Sequence, residues 1–199
     1  MSTMILWRHA RTAYNADGRL QGSLDIPLGD EGHRQAARAA HRLVREHGTD
    51  LTIVSSPLSR AVDTADALAA LTNGEVEVDQ RLTQRPYGAW EGLTWADVQA
   101  RWPEQLERRQ RGEDPDIPGW GASPEVAARV GQALQDHWDP QRVTVVVSHG
   151  STLSLGLRDV LGLDPLSRVL GSLPHAAWHE ITRVDSGAWH IDAFGSGAD

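Results

Sequence analysis

The chain has 199 residues and a formal net charge of −8, enough for one domain of ~100–200 residues. Its acidity, with an isoelectric point near 5.5, argues against nucleic acid or an anionic membrane as partner. Cysteine is absent, which excludes disulfides and thiolate-held metals, and every basic side chain is an arginine.

Met4 to Trp7 reads as a short buried strand running straight into Arg8-His9. The apolar run there is too short for a signal-peptide core, and no other stretch approaches ~18 uninterrupted apolar residues. The expectation is a soluble, cytoplasmic protein with no membrane partner. A Gly/Asp-rich loop follows, and then Ala36, Ala37, Ala40, Leu43 and Val44 recur at helical spacing over residues 30–47. Residues 51–55 form a second apolar strand. Ser56-Pro57 has the composition of an N-cap and first turn, opening a helix through Ala70. Residues 75–79 alternate as a strand does.

The stretch 90–124 is rich in Trp, Arg, Gln, Gly and Pro, with helical character only over 94–111. Approximately residues 91–124 are expected to cap a site, as an insertion within a single domain spanning 1–199. A helix is predicted over 126–137 and a central, β-branched strand over 142–148. A helix over 151–161 and a hairpin of 178–184 with 188–194 complete the pattern, and 196–199 is expected to be a loose tail. Alternating strands and helices predict an α/β fold: a three-layer α/β/α sandwich around a mostly parallel sheet, with a short cap insertion.

Three fragments sit where strands end: Arg8-His9-Ala10-Arg11-Thr12 with Asn15, Ser55 to Ala61, and Ser148-His149-Gly150. Ligands of open α/β sheets bind at the carboxyl ends of strands. An imidazole there can attack phosphorus while a neighbouring guanidinium forks onto the non-bridging oxygens. A second Arg and a second His would complete a cradle for a dianion.

These fragments resemble the histidine phosphatase superfamily, which includes phosphoglycerate mutases and many small phosphatases. Arg8-His9-Ala10-Arg11-Thr12-Ala13-Tyr14-Asn15 matches its opening signature, and Gln21-Gly22 its substrate loop. Ser55 to Ala65, Gly88-Ala89-Trp90-Glu91-Gly92 and Val147-Ser148-His149-Gly150 follow in register. The resemblance implies that His9 is the nucleophile, with Arg8, Arg60 and His149 holding the phosphoryl group. It implies that Asn15, Gln21, Gly22, Tyr87 and Gly150 touch phosphate or substrate, and that no metal or cofactor is needed. The run Gln21 to Asp25 is also similar to that of actinobacterial glucosyl-phosphoglycerate phosphatases.

The chain departs from the family pattern at four points. Ala10 stands for a usual Gly, and Arg11 for a frequent Glu, adding charge near the pocket mouth. Ala122 stands where many members carry a Glu. Gln84 occupies the place of the general acid. An amide cannot lend a proton, and losing positioned acid catalysis typically costs ~10²–10⁴ in rate. Glu91 is the nearest candidate substitute, although the family carries a Glu there beside its ordinary acid.

The leading expectation is therefore a phosphomonoesterase acting on a small phosphorylated metabolite through a phosphohistidine on His9. The rivals are a phosphoglycerate mutase-type isomerase and a weakly catalytic module that binds phospho-ligands. The short segment after Trp90 favours hydrolysis over mutase chemistry. His175 and His179, four apart, suggest a metal pair, but on a strand that spacing is ~13 Å. His175 is instead a candidate for the pocket wall. Oligomeric state is open, a homodimer included.

Overall fold

The computed structural model describes residues 3–72 and 74–197. The strands β1 (Met4–Arg8), β2 (Leu51–Ser55), β3 (Val76–Val78), β4 (Val143–Ser148), β5 (Trp178–Arg183) and β6 (Trp189–Ser196) form one sheet, in the order β3-β2-β4-β1-β5-β6. The β1, β2, β3 and β4 pairings are parallel, and the β5–β6 hairpin adds antiparallel to β1. The β-branched run at β4 lies between β1 and β2, where both faces are covered, as its lack of polar alternation predicts.

Side chains alternate across the sheet and feed two cores. Ile5, Trp7, Ile53, Val145 and Val147 face α2 (Asp30–His47) and α3 (Ser59–Thr72). Met4, Leu6, Val54 and Val146 face α6 (Ser123–Asp136) and α7 (Gly150–Val160). This is the expected three-layer sandwich. The short helices α1 (Ala13–Ala16), α4 (Trp95–Arg101) and α5 (Pro103–Gln110) lie outside it. Two glycines let α6 and α7 touch closely. A Cβ on Gly156 would sit 2.3 Å from Val130 Cγ1, and one on Gly131 would sit 1.9 Å from Asp159 Oδ2.

Several local expectations are corrected. Helix α2 buries Ala39 while Ala37 is exposed. Helix α3 begins at Ser59, and the Ser56 hydroxyl, 2.8 Å from His149 Nε2, accepts only from Leu58 N at 3.4 Å, ahead of the helix. Asp25 supplies the acceptor at the helix start, taking the Ser59 backbone N–H at 2.8 Å and its hydroxyl at 2.7 Å. The single helix expected over 94–111 is two, divided at Trp102, since Pro103 has no N–H to continue the first. Ser196, read as the start of a tail, pairs with Trp178, and Gly197 lies against that ring. Residues 198 and 199 of that tail lie outside the described residues. Among the described residues no helix is long and apolar enough to cross a membrane.

Candidate active site

Parallel registry brings three strand ends together. Arg8 stands opposite Ser148, and Ser55 opposite Val147. Neighbouring strands are ~5 Å apart, so the residues that follow them emerge side by side. His9 leaves β1 with its backbone N–H on Ser148 O at 2.9 Å. The next N–H, of Ala10, donates to Thr64 Oγ1 on α3 at 3.1 Å. Ala10 is fully buried and its φ is not positive, so alanine fits in place of the glycine. Arg11 is exposed and is not part of the cleft wall.

The His9 ring is 3% exposed, and its Nδ1 lies 2.7 Å from Ala10 O. A carbonyl only accepts, so Nδ1 carries the proton and the lone pair is on Nε2. The ring centroid is 5.1 Å from that of His149 and 5.3 Å from that of His175. Burial first, then His149, Arg60 and Arg8, push the His9 pKa well below the usual imidazole value. Burial and the two arginines do the same to His149.

Two guanidiniums flank the ring. Arg8 donates to Leu173 O at 2.5 Å and to His175 Nε2 at 2.8 Å. Arg60 donates to Leu24 O at 2.7 Å and to Gly22 O at 2.9 Å. Each therefore commits two of its five N–H groups, and the Nε of each is buried without a partner. Burial lowers both pKa values to about 10, which leaves both cations charged at neutral pH. Gly150 makes room for Arg8, since a Cβ there would lie 3.1 Å from Arg8 Nε.

Arg8, His9, Arg60 and Gln84 open onto a cleft of about 870 Å³, with Asn15, Gln21, Tyr87 and Gly150 also in its wall. His149 and Gly22 stand behind that wall. His149 is fully buried, its Nδ1 unpartnered, and Gly22 gives its carbonyl to Arg60. Asn15 closes a capping box with Thr12, whose hydroxyl also lies 3.0 Å from Gln21 Oε1. Tyr87 donates its hydroxyl to Ser151 at 3.2 Å.

Gln84 is 8% exposed, and its Oε1 accepts from Thr152 Oγ1 at 2.6 Å, Ser151 Oγ at 3.0 Å and Arg85 N at 3.1 Å. With the oxygen so engaged, the amide NH₂ is the end left for the cleft. Glu91 does not line the cleft. Its carboxylate ties the Ser23 N–H, at 2.8 Å, to the Tyr87 N–H, at 3.0 Å.

The carboxylate missing at Ala122 has a local counterpart. Asp114 accepts from Ser123 N at 2.6 Å, Trp120 Nε1 at 2.9 Å and Arg85 Nη2 at 3.0 Å. His175, a candidate for the pocket wall, is not among the residues that line the cleft and stands behind Arg8 and His9. It lies 166 residues from His9, yet its Nδ1 is 3.2 Å from His9 O and its Nε2 accepts from Arg8. Ala176, at φ 60, makes the turn that delivers it. His179 points elsewhere, accepting from Gly195 N and stacking on Phe194 at 4.1 Å, so the two share no ligand position.

A layered α/β fold with two imidazoles and two arginines at adjoining strand ends defines a class of phosphoryl-handling proteins. The chain belongs to the histidine phosphatase superfamily (branch 1), whose model matches residues 4–196. It is similar to the glucosyl-3-phosphoglycerate phosphatase of Mycolicibacterium vanbaalenii, at 34% identity over 98% of this chain and 95% of that protein. The phosphoserine phosphatase 1 of Hydrogenobacter thermophilus is 35% identical over 82% of this chain and 78% of its own. Among solved structures, mycobacterial glucosyl-3-phosphoglycerate phosphatase in complex with VO₃ superposes with a TM-score of 0.87 at 33% identity, covering 98% and 99% of the two chains.

Proposed function

We propose that the protein hydrolyses a small phosphomonoester in two steps through a phosphohistidine on His9. His9 Nε2 attacks phosphorus, the P–O bond breaks with its electron pair on the leaving alkoxide, which takes a proton from solvent water, and a second water then cleaves the P–N bond to release phosphate. The unspent donors of Arg8 and Arg60 hold the equatorial oxygens and offset their charge. If Ser56 donates to His149 Nε2, the buried Nδ1 of His149 carries a proton and is a further donor. Asn15, Gln21, Tyr87 and Gly150 shape the substrate's side of the cleft, and Gly22 fixes Arg60. In this reading residues 91–124 cap the cleft of a single domain.

One observation carries the reading: a neutral imidazole with its proton tied to Ala10 O stands beside two guanidiniums, Arg60 buried and Arg8 half-buried, whose Nε groups are unpartnered. The relatives named above are phosphatases of phosphorylated metabolites, which supports a substrate of that kind. Gln84 favours one secondary reading, a slow enzyme on esters whose leaving oxygen needs a proton.

Rapid-quench labelling with p-nitrophenyl [³²P]phosphate tests the nucleophile. An acid-labile, base-stable phosphoenzyme is expected in the wild type and none in His9→Ala, whose phosphate release falls by about 10⁴-fold. Label or turnover surviving in His9→Ala would overturn the assignment.

A further inference from the structure

Helix α7 begins at the phosphoryl site and continues along the cleft. Ser151, Ser154, Leu155 and Arg158 all line that cleft. Their spacing of three, four and seven residues places them on one helical face. Arg158, at the far end of this face, is only 9% exposed. Its Nη1 donates to the Ser154 carbonyl of its own helix at 3.1 Å, and its Nε is buried with no partner.

No ion pair among the described residues involves Arg158, and Asp164 reaches it only through space. Arg85 is the contrast within the same cleft. It is 3% exposed, but it meets Asp114 at 3.0 Å and lies over the Trp120 ring at 4.4 Å. A desolvated guanidinium with no carboxylate in hydrogen-bond contact is costly in the empty protein, and an anion arriving from the cleft removes that cost. Buried, unpaired and cleft-facing, Arg158 has the character of a ligand receptor.

We propose that Arg158 receives a second anionic group of the substrate, so that the preferred ester carries a carboxylate as well as its phosphoryl group. The carboxylate is the smallest anion that matches the planar fork of a guanidinium. Helical side chains lean toward the N-terminus, and the bond to Ser154 shows this one doing so. At 1.5 Å per residue, the receptor then lies about 5–10 Å along α7 from Ser151. Leu155 and Leu170 offer apolar wall to the carbon linker between the two charges. The inference rests on the phosphomonoesterase reading for its substrate, and part of its test does not need turnover.

The test uses ω-(phosphonooxy)alkanoates of increasing chain length beside alkyl phosphates of the same length without the carboxylate. The wild type is expected to prefer the carboxylated ester, at its best length, by about 10–100-fold in kcat/KM. Arg158→Met is expected to erase that ratio and Arg158→Lys to keep part of it. If both series fall together in Arg158→Met, or if the ratio survives, the proposal is overturned.

Calorimetric binding of the matching phosphonates, with and without the carboxylate, separates the two readings. If no ester is turned over but the carboxylate preference in binding depends on Arg158, the hydrolytic reading falls and the receptor stands. If esters are hydrolysed with no such preference in rate or binding, the receptor falls and the hydrolytic reading stands.

Discussion

The two ends of the cleft are built by different means. At the His9 end, Arg8 and His9 leave β1 while Arg60 and His149 lie within two residues of a helix start, and main-chain bonds such as His9 N to Ser148 O hold them. At the other end, short helices α4 and α5 meet across Pro103 over an aromatic cluster. In it the Trp90 ring lies 5.3 Å from Trp120 and 6.3 Å from Trp95. One carboxylate, Asp114, gathers Arg85, Trp120 and Ser123 there. The first construction fixes a charge pattern to the resolution of a peptide unit. The second fixes a shape, through side chains that can change without moving the sheet.

Acid should break the first end before the second. His9, His149 and His175 are all held below the ordinary imidazole pKa, His175 at about 3, with burial the leading cause in each. A lowered native pKa means that the unfolded chain takes up protons which the native state refuses. Stability is therefore greatest above about pH 6.5 and is lost as pH falls from there toward the native values. Each imidazole contributes up to about 1.4 kcal/mol per pH unit in that window. Urea midpoints measured from pH 7.5 to 5, above the range where most carboxylates titrate, should be level at first and then drop steeply. A midpoint unchanged down to pH 5 would show that these rings are not held neutral.

The next largest effect is expected at the Asp114 end. Asp114→Ala leaves Arg85 buried without its counter-charge and removes the acceptor for Ser123 N at the start of α6. Breaking such a pair costs about 3 kcal/mol, to be read as a lower thermal midpoint and as proteolysis within residues 111–122. Asp114→Asn keeps an acceptor oxygen and should fall between. If Asp114→Ala melts like the wild type, this end is held by its tryptophans alone.

The same contrast decides what the sequence could reveal. The β-branched run of β4, the hairpin of β5 and β6, and the motif residues at strand ends are all local patterns, and each lies where its pattern implies. Ser56 has the composition of an N-cap, but its hydroxyl accepts from Leu58 N ahead of the helix and also meets a buried histidine 93 residues away, a contact no local pattern announces. Pro103 was a local signal for a break that helical composition on either side obscured. His175 and Arg158 carry no pattern of their own. What matters about them is a partner at long range in one case and a missing partner in the other, and neither is written in spacing.

Gln84 lies at the junction of the two ends, and the smallest predicted effect concerns it. Its Oε1 takes three donors, two of them from the first turn of α7. A glutamate there could accept the same donors through one oxygen and present the other to the leaving group. Those donors and the nearby guanidiniums favour a carboxylate, whereas the bound phosphoryl dianion favours the acid, so part of the population can donate a proton. Gln84→Glu should raise kcat/KM for alkyl phosphates by about 10–100-fold and for p-nitrophenyl phosphate by much less, because only the alkoxide needs the proton. Equal gains on both substrates would mean that the new side chain acts on phosphate binding. No gain on either would mean that the wild type already draws its proton from another source.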